Sequence, residues 1–238
     1  MSFLFEVVRW LTDLAHWRGS DGIPARLAEQ AAMSGASVLV ACLVAVPVGL
    51  VLGHRRKGVA LAVNVSNVGR AVPSFALLVL AAEVFGIGAA PAFVALVALA
   101  IPPLVTGSCV GVQSVEAEVV EAASGMGMSG RQLLWRVELP VALPQVLGAV
   151  RTTTVQVVAT ASLAAVVAWG GLGRFVIDGL ARRDFAMATA GALLVALLAM
   201  GTEVLLGGIT RRLVPVGVQA GAAGQNASAP TTRQGSRP

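Results

Sequence analysis

The chain has 238 residues, 56% hydrophobic and 12% charged, with a formal net charge of +5 and a mean hydropathy of +0.82. Soluble chains carry about 25% charged residues, so a water-facing globular domain is excluded and most of this chain belongs in lipid. Its one lysine, Lys57, follows Arg55 and Arg56 where a Walker A loop needs glycine, so the chain cannot itself be a P-loop ATPase.

Residues 1–26 come first. Leu4, Val7, Val8, Leu11, Leu14 and Ala15 recur at helical spacing, with Trp10 and Trp17 close by, which predicts an amphipathic helix lying on the membrane surface. No early basic region leads into a long apolar core with a small-residue cleavage site, so a cleavable signal is not expected. Five stretches then reach the roughly 20 apolar residues that a spanning helix needs. They are 31–52, which stops at His54, Arg55, Arg56 and Lys57; 59–84, interrupted by Asn64, Ser66, Asn67, Arg70 and Pro73; 91–112, with Pro102 and Pro103 in its middle; 143–168; and 185–209, ending at Arg211 and Arg212. The expected architecture is an all-α membrane protein of five transmembrane helices, with a spanning domain over 27–212. Residues 213–238, rich in Gly, Ala, Gln, Asn, Ser, Thr and Pro, are expected to form a disordered tail.

Twenty-seven glycines suit this solvent, because glycine lets membrane helices approach closely. Cys42 and Cys109 lie in apolar runs and are read as buried free thiols rather than a disulfide framework. His16 and His54 have no second His or Cys at ligand spacing, so no metal site is assigned. The basic residues are scattered and no basic, aromatic RNA motif accompanies them, which argues against nucleic acid and for phospholipid as the acidic neighbour. Loop charge leaves the orientation open, with seven basic residues on one side of the five spans and six on the other.

Residues 113–140 are neither apolar enough to span nor loop-like. Glu116, Glu118 and Glu121 lead a first short helix, where acidic groups complement the macrodipole, and Gly125 and Gly127 break it. Ser129 with Gln132 forms an S-x-x-Q capping box for a second helix through Leu133, Leu134 and Trp135, with Arg131 and Arg136 on its polar side. Two short helices showing small apolar knobs to water suggest a docking surface. An ordinary interfacial helix ending in a C-cap glycine is the plainer reading of the same residues.

The order Glu121-Ala122-Ala123, three residues, Gly127, nine residues, Val137-x-Leu139-Pro140 resembles the E-A-A-x3-G-x9-I-x-L-P loop of permease subunits in bacterial binding-protein-dependent ABC importers, with Val137 in place of Ile. Other stretches resemble the osmoprotectant branch of that family, whose substrates include glycine betaine, choline, carnitine and proline betaine. They are Ala45-Val46-Pro47-Val48-Gly49, the run from Asn67 through Arg70, Pro73 and Ser74 to Leu78, the run from Val137 to Pro144, and Gly170-Gly171-Leu172-Gly173. The resemblance implies a type I importer permease core whose loop is a cytoplasmic coupling helix gripped by a dimer of ATPase subunits. ATP and Mg would be held there and no cofactor in this chain, which would not itself be an enzyme. It also implies a second permease subunit, identical or similar, an extracytoplasmic binding protein contacting Gly170, Gly171, Leu172 and Gly173, and a multi-pass location in the bacterial plasma (inner) membrane. The N-terminus would then lie outside and the C-terminus in the cytoplasm. A methionine-type permease shares the five-helix core and the loop and is the nearest alternative.

Polar groups inside hydrocarbon usually face the bundle or a water-filled path. Arg70, flanked by Asn64, Ser66 and Asn67, either lines such a path, with Asn67, Pro73 and Ser74 as further path candidates, or belongs to a network that holds the Pro73 kink. Thr153, Gln156 and Thr160 fall on one helical face and are candidates for the same path or for bonds to a neighbouring helix. Burial cost alone suggests that Arg151 pairs with Glu203. An aromatic cage is the usual solution for a quaternary ammonium, yet the chain has no Tyr and its four Trp fall at predicted ends or loops, so selectivity is assigned to the separate binding protein. A secondary transporter or channel would be expected to show an internal repeat, and a membrane enzyme paired His, Ser with Lys or clustered carboxylates; neither pattern is found.

Overall fold

The structure is a computed structural model and describes residues 2–56, 64, 67, 69 and 72–213. Lys57, Ser66, Arg70 and the tail beyond Leu213 lie outside the described residues. In hydrocarbon every backbone N–H and C=O must be satisfied within the chain, which leaves helices as the solution for an apolar sequence of this kind. The described elements are accordingly helical. They are α1 (Ser2–Thr12), a 3-10 turn (Leu14–Trp17), α2 (Ile23–His54), α3 (Ser74–Phe85), α4 (Ala89–Gln113), α5 (Ala117–Gly125), α6 (Gly130–Leu133), a π-helical turn (Leu134–Glu138), α7 (Leu139–Ala161), a second 3-10 turn (Ser162–Val167), α8 (Gly173–Ala181) and α9 (Phe185–Leu213).

Among the described residues, four helical runs are long and apolar enough to cross a membrane: α2, α4, the run Gly130–Val167 and α9. Helix α3, apolar but 12 residues long, holds the longest continuous described stretch of the second predicted span. Two helices extend beyond the predicted spans. Helix α2 starts at Ile23, ahead of the apolar run at Ala31, because Gly22 and Pro24 set a helix start and the polar residues that follow find partners. Arg26 pairs with both Asp21 and Glu29, and Gln30 is bonded on both sides of its amide. The helical rod that carries the fourth predicted span begins at Gly130, ahead of the apolar run at Leu143. Its α-helical part ends at Ala161, tightens to the 3-10 turn and stops at Ala168, whose φ of +60° is left-handed.

Helix α4 is the centre of the bundle, with α2 on one side and α7 on the other. Glycines on both flanks make this possible. Gly49 and Gly53, a G-x-x-x-G pair on α2, sit so close to α4 that a Cβ would stand 2.5 Å from the Val105 carbonyl oxygen and 2.7 Å from that of Cys109. Gly107 and Gly111, a second such pair on α4 itself, face Ala149, Ala142 and Gln145 of α7. Between these contacts Val38, Ala41, Ala45, Leu96, Ala100, Leu104, Val157 and Ala161 form the main apolar core.

The end of the bundle away from the 113–140 loop is closed by α1 and α8. Trp10 stacks on His16 at 4.1 Å between ring centroids and meets Phe175 edge-on at 5.3 Å, while Leu4, Phe5 and Val8 stay exposed. Helix α9 packs on α7 and α8 and leaves Leu197, Met200, Val204 and Leu205 outward.

Arg151 of α7 and Glu203 of α9 form an ion pair, and Gly207 clears space for the guanidinium, since a Cβ there would stand 3.1 Å from Arg151 Cζ. Glu203→Ala strands the arginine beside hydrocarbon and is expected to lower stability by about 2 kcal/mol. Thermal unfolding in detergent reads this directly. Adding Arg151→Met to the first change is expected to recover part of the loss, because an apolar pair needs no partner. A Glu203→Ala chain melting with the wild type would show that the pair contributes nothing.

Candidate functional site

The loop between α4 and α7 is built from two local capping motifs. Helix α5 runs from its N-cap Glu116 to a C-cap at Met126. Gly127 follows with φ of +82°, its N–H donating to the Ser124 carbonyl at 2.9 Å, and the Met128 N–H donates to the Ala123 carbonyl at 3.3 Å. That pair of bonds is a Schellman motif, in which the residue after the C-cap must be left-handed, and this is why glycine stands at 127. Two residues later the Ser129 hydroxyl accepts from the Gln132 N–H, and the Gln132 side chain accepts from the Ser129 N–H at 2.9 Å, so the capping box is present.

These motifs decide what the loop shows. Ala123 is buried and anchors α5, while Glu121, Ala122 and Gly127 are exposed. Met126 and Trp135 are the most exposed of the large apolar groups it presents, at 73% and 58%. Val137 is half-buried and Leu139 packs on the cluster of Leu50, Val112, Ala142 and Val146. Pro140 sits exposed at the start of α7, and because the rod enters α7 without a break its missing N–H removes one backbone bond to the π-turn behind it. The second predicted helix of the loop is thus not a separate element. It is the first turn of the rod that becomes the fourth span, joined through the π-turn in which the Leu139 N–H reaches back to the Leu134 carbonyl.

Two contiguous hollows open on the flank formed by α3, α4 and α7. The first, about 90 Å³, is lined by Gly69, Val72, Ser74, Leu99, Pro102, Pro103 and Gln156. The second, about 390 Å³, shares Pro103 and continues past Thr106, Gly107, Gln145, Gly148 and Thr152. Pro102 and Pro103 have no N–H to return to Ala98 and Leu99, which leaves carbonyl oxygens at this level of α4 without a helical donor. The structure brings Ser74 and Gln156 together here and separates the other path candidates. Thr153 is buried in the core with its hydroxyl unbonded, Thr160 is half-buried, Asn67 and Pro73 are exposed on the approach to α3, and Arg70 is outside the described residues. Thr152 and Gln145, which the helical-face argument passed over, carry the polar line of α7 past the hollows.

Gly170, Gly171, Leu172 and Gly173 form a clamp more than a surface. Gly171 donates its N–H to Glu29 Oε2 at 2.8 Å and Leu172 donates to Gln30 Oε1 at 2.9 Å. Gln30, fully buried, donates in turn to the Val158 carbonyl at 3.0 Å, tying α2, α7 and the loop together. Gly173 has no room for a side chain, since a Cβ would stand 2.0 Å from the Ser162 carbonyl oxygen. Only Gly170 of the four is partly exposed.

A spanning bundle with a capped interhelical loop at one end and a polar flank along its length is the frame of a transport permease. Residues 45–215 match the family described as binding-protein-dependent transport system inner membrane component, and the chain belongs to that family. It is 32% identical over 191 residues to the choline transport system permease protein OpuBB of Bacillus subtilis, covering 80% of this chain and 88% of that one. It is 38% identical over 181 residues to the osmoprotectant import permease protein OsmY of Salmonella typhimurium, covering 75% and 77%. Among solved structures, a chain of the inward-facing MetNI methionine ABC transporter superposes with a TM-score of 0.70 at 25% identity, over 81% of this chain and 96% of that one.

Proposed function

We propose that the chain is the membrane-spanning subunit of an ATP-driven importer for a small zwitterionic osmoprotectant such as glycine betaine, choline, carnitine or proline betaine. The observation that carries the reading is the loop, whose Schellman and capping-box motifs hold Glu121, Ala122, Met126 and Trp135 out as a rigid knob at one end of the bundle. In this reading that end is cytoplasmic and a dimer of ATPase subunits, with ATP and Mg bound, grips the knob. The chain then sits in the plasma membrane with its N-terminus outside, Leu4, Phe5 and Val8 in the outer lipid interface, and its C-terminus in the cytoplasm. The relatives' substrates support the substrate class.

A second permease subunit, identical or similar, covers the flank of α3, α4 and α7 and turns the two hollows into a central path past Ser74, Thr152 and Gln156. The clamp at Gly170 to Gly173 then serves the outer end of that path, and the exposed residues after it, Arg182 to Asp184, are where a loaded binding protein touches. ATP binding closes the ATPase dimer, moves the knobs as levers and shifts the path between two states for which the nucleotide has different affinity.

The methionine-type reading is favoured by one observation, the superposition on the methionine transporter. One experiment separates the two. The tagged chain, purified in detergent, is expected to retain an ATPase subunit, and proteoliposomes of the assembly with its binding protein are expected to take up labelled glycine betaine or choline. Uptake of methionine alone would replace the substrate class. A chain retaining no ATPase subunit would overturn the importer reading altogether.

A further inference from the structure

His54 is the last residue of α2 and Glu138 closes the π-turn, 84 residues away in sequence, yet His54 Nδ1 lies 2.6 Å from Glu138 Oε2. The carboxylate can only accept, so the imidazole donates from Nδ1. Glu138 is 2% exposed, and a buried carboxylate that loses its hydrogen-bond partner is unfavourable enough to resist separation. The other ring nitrogen faces the opposite end of the same segment, since a Cβ at Gly130 would stand 3.2 Å from His54 Nε2. One imidazole at the tip of α2 therefore fills the space between the first residue of α6 and the last residue of the π-turn.

We propose that His54 and Glu138 are positioning residues through which displacement of the 117–140 loop is delivered to the first span. The inference rests on the reading of that loop as the ATPase-gripped lever. The lever already continues into α7 as one rod, but α2 is a separate element, and apolar contacts such as Leu50 with Val112 and Leu139 can slide. A short charge-assisted hydrogen bond to a buried carboxylate has direction and fixes register. The same apolar cluster holds α2, α4 and α7 together without the pair, so removing the donor is expected to lower stability without unfolding the bundle and to loosen the transmission.

The test uses the full importer in proteoliposomes, reading ATPase subunit retained, ATP hydrolysed and solute moved. His54→Leu fills the space but has no donor. His54→Asn places an amide nitrogen close to the position of Nδ1. The leucine variant is expected to retain its ATPase subunit and hydrolysis while solute moved per ATP falls about five-fold or more. The asparagine variant is expected to restore most of that ratio. If the leucine chain does not accumulate, His54→Ala takes its place in the comparison. An unchanged ratio in the donor-free chain, or equal loss in the donor-free and asparagine chains, would overturn the positioning role. A wild-type chain retaining no ATPase subunit would overturn the importer reading and this link with it.

Discussion

Gly127→Val is expected to cut uptake at least ten-fold while the chain still inserts and folds. The position is open, with nothing within 4 Å of where a Cβ would stand, so the effect is entirely one of backbone. At φ of +82° a β-branched residue is strained by ~2 kcal/mol. The chain relieves that strain by leaving the left-handed region, which breaks the bonds from Gly127 to Ser124 and from Met128 to Ala123. Helix α5 then no longer ends where the knob requires, and Met126 is re-aimed. Gly127→Asn, the substitution best suited to left-handed backbone, is expected to keep most of the activity. Uptake and ATP hydrolysis measured on the same vesicles distinguish the outcomes, and valine and asparagine variants of equal activity would remove the loop's end geometry from the mechanism.

The second large effect lies in the bundle. Gly107→Val is expected to prevent accumulation of folded chain, or to lower its melting temperature in detergent by many degrees. A Cβ at 107 would stand 2.2 Å from the Ala149 Cβ, and an alanine methyl has no rotamer with which to retreat, so α4 and α7 must part. Overpacking of this kind costs about 1–3 kcal/mol even where neighbours adjust. Parting the helices also loses the close backbone contact that stands in for the hydrophobic effect between membrane helices. Gly208→Ala is the matched control. It sits in helix α9 with nothing within 4 Å, and it is expected to be neutral or slightly stabilising because alanine loses less freedom than glycine. Equal behaviour of the two variants would mean that glycine content, not glycine placement, governs this bundle.

What could be read from the sequence was what is local. The capping box spans Ser129 to Gln132 and the Schellman turn spans Ala123 to Met128, so both leave their signature within a few residues. The apolar runs of α4 and α9 were legible for the same reason, since hydropathy is a window property. Contacts across the chain were not. Gln30 meets Leu172 across 142 residues and His54 meets Glu138 across 84, and nothing in either neighbourhood names its partner. Arg151 and Glu203 were the exception, because two charges stranded in apolar helices leave few other solutions. The polar stripe of α7 shows the limit most clearly. Period 3.6 groups Thr153 with Gln156 and Thr160, but how the helix is turned about its axis depends on its neighbours, and these set Thr153 into the core and Thr152 at the hollow.

The π-turn at Leu134–Glu138 changes how the loop and the path relate. It places one more residue in the turn than an α-helix would, so the rod ahead of it is out of phase with the rod behind it by about 100° of azimuth. The loop ahead of it therefore faces a direction that the α-helical pitch of α7 alone would not give it, while Thr152 and Gln156 keep the direction that α7 dictates. Within one continuous rod the bearing of the handle and the bearing of the blade are set by separate means. In the proposed function, a change in partner at the loop is thus accommodated at those five residues without re-cutting the face proposed to line the path.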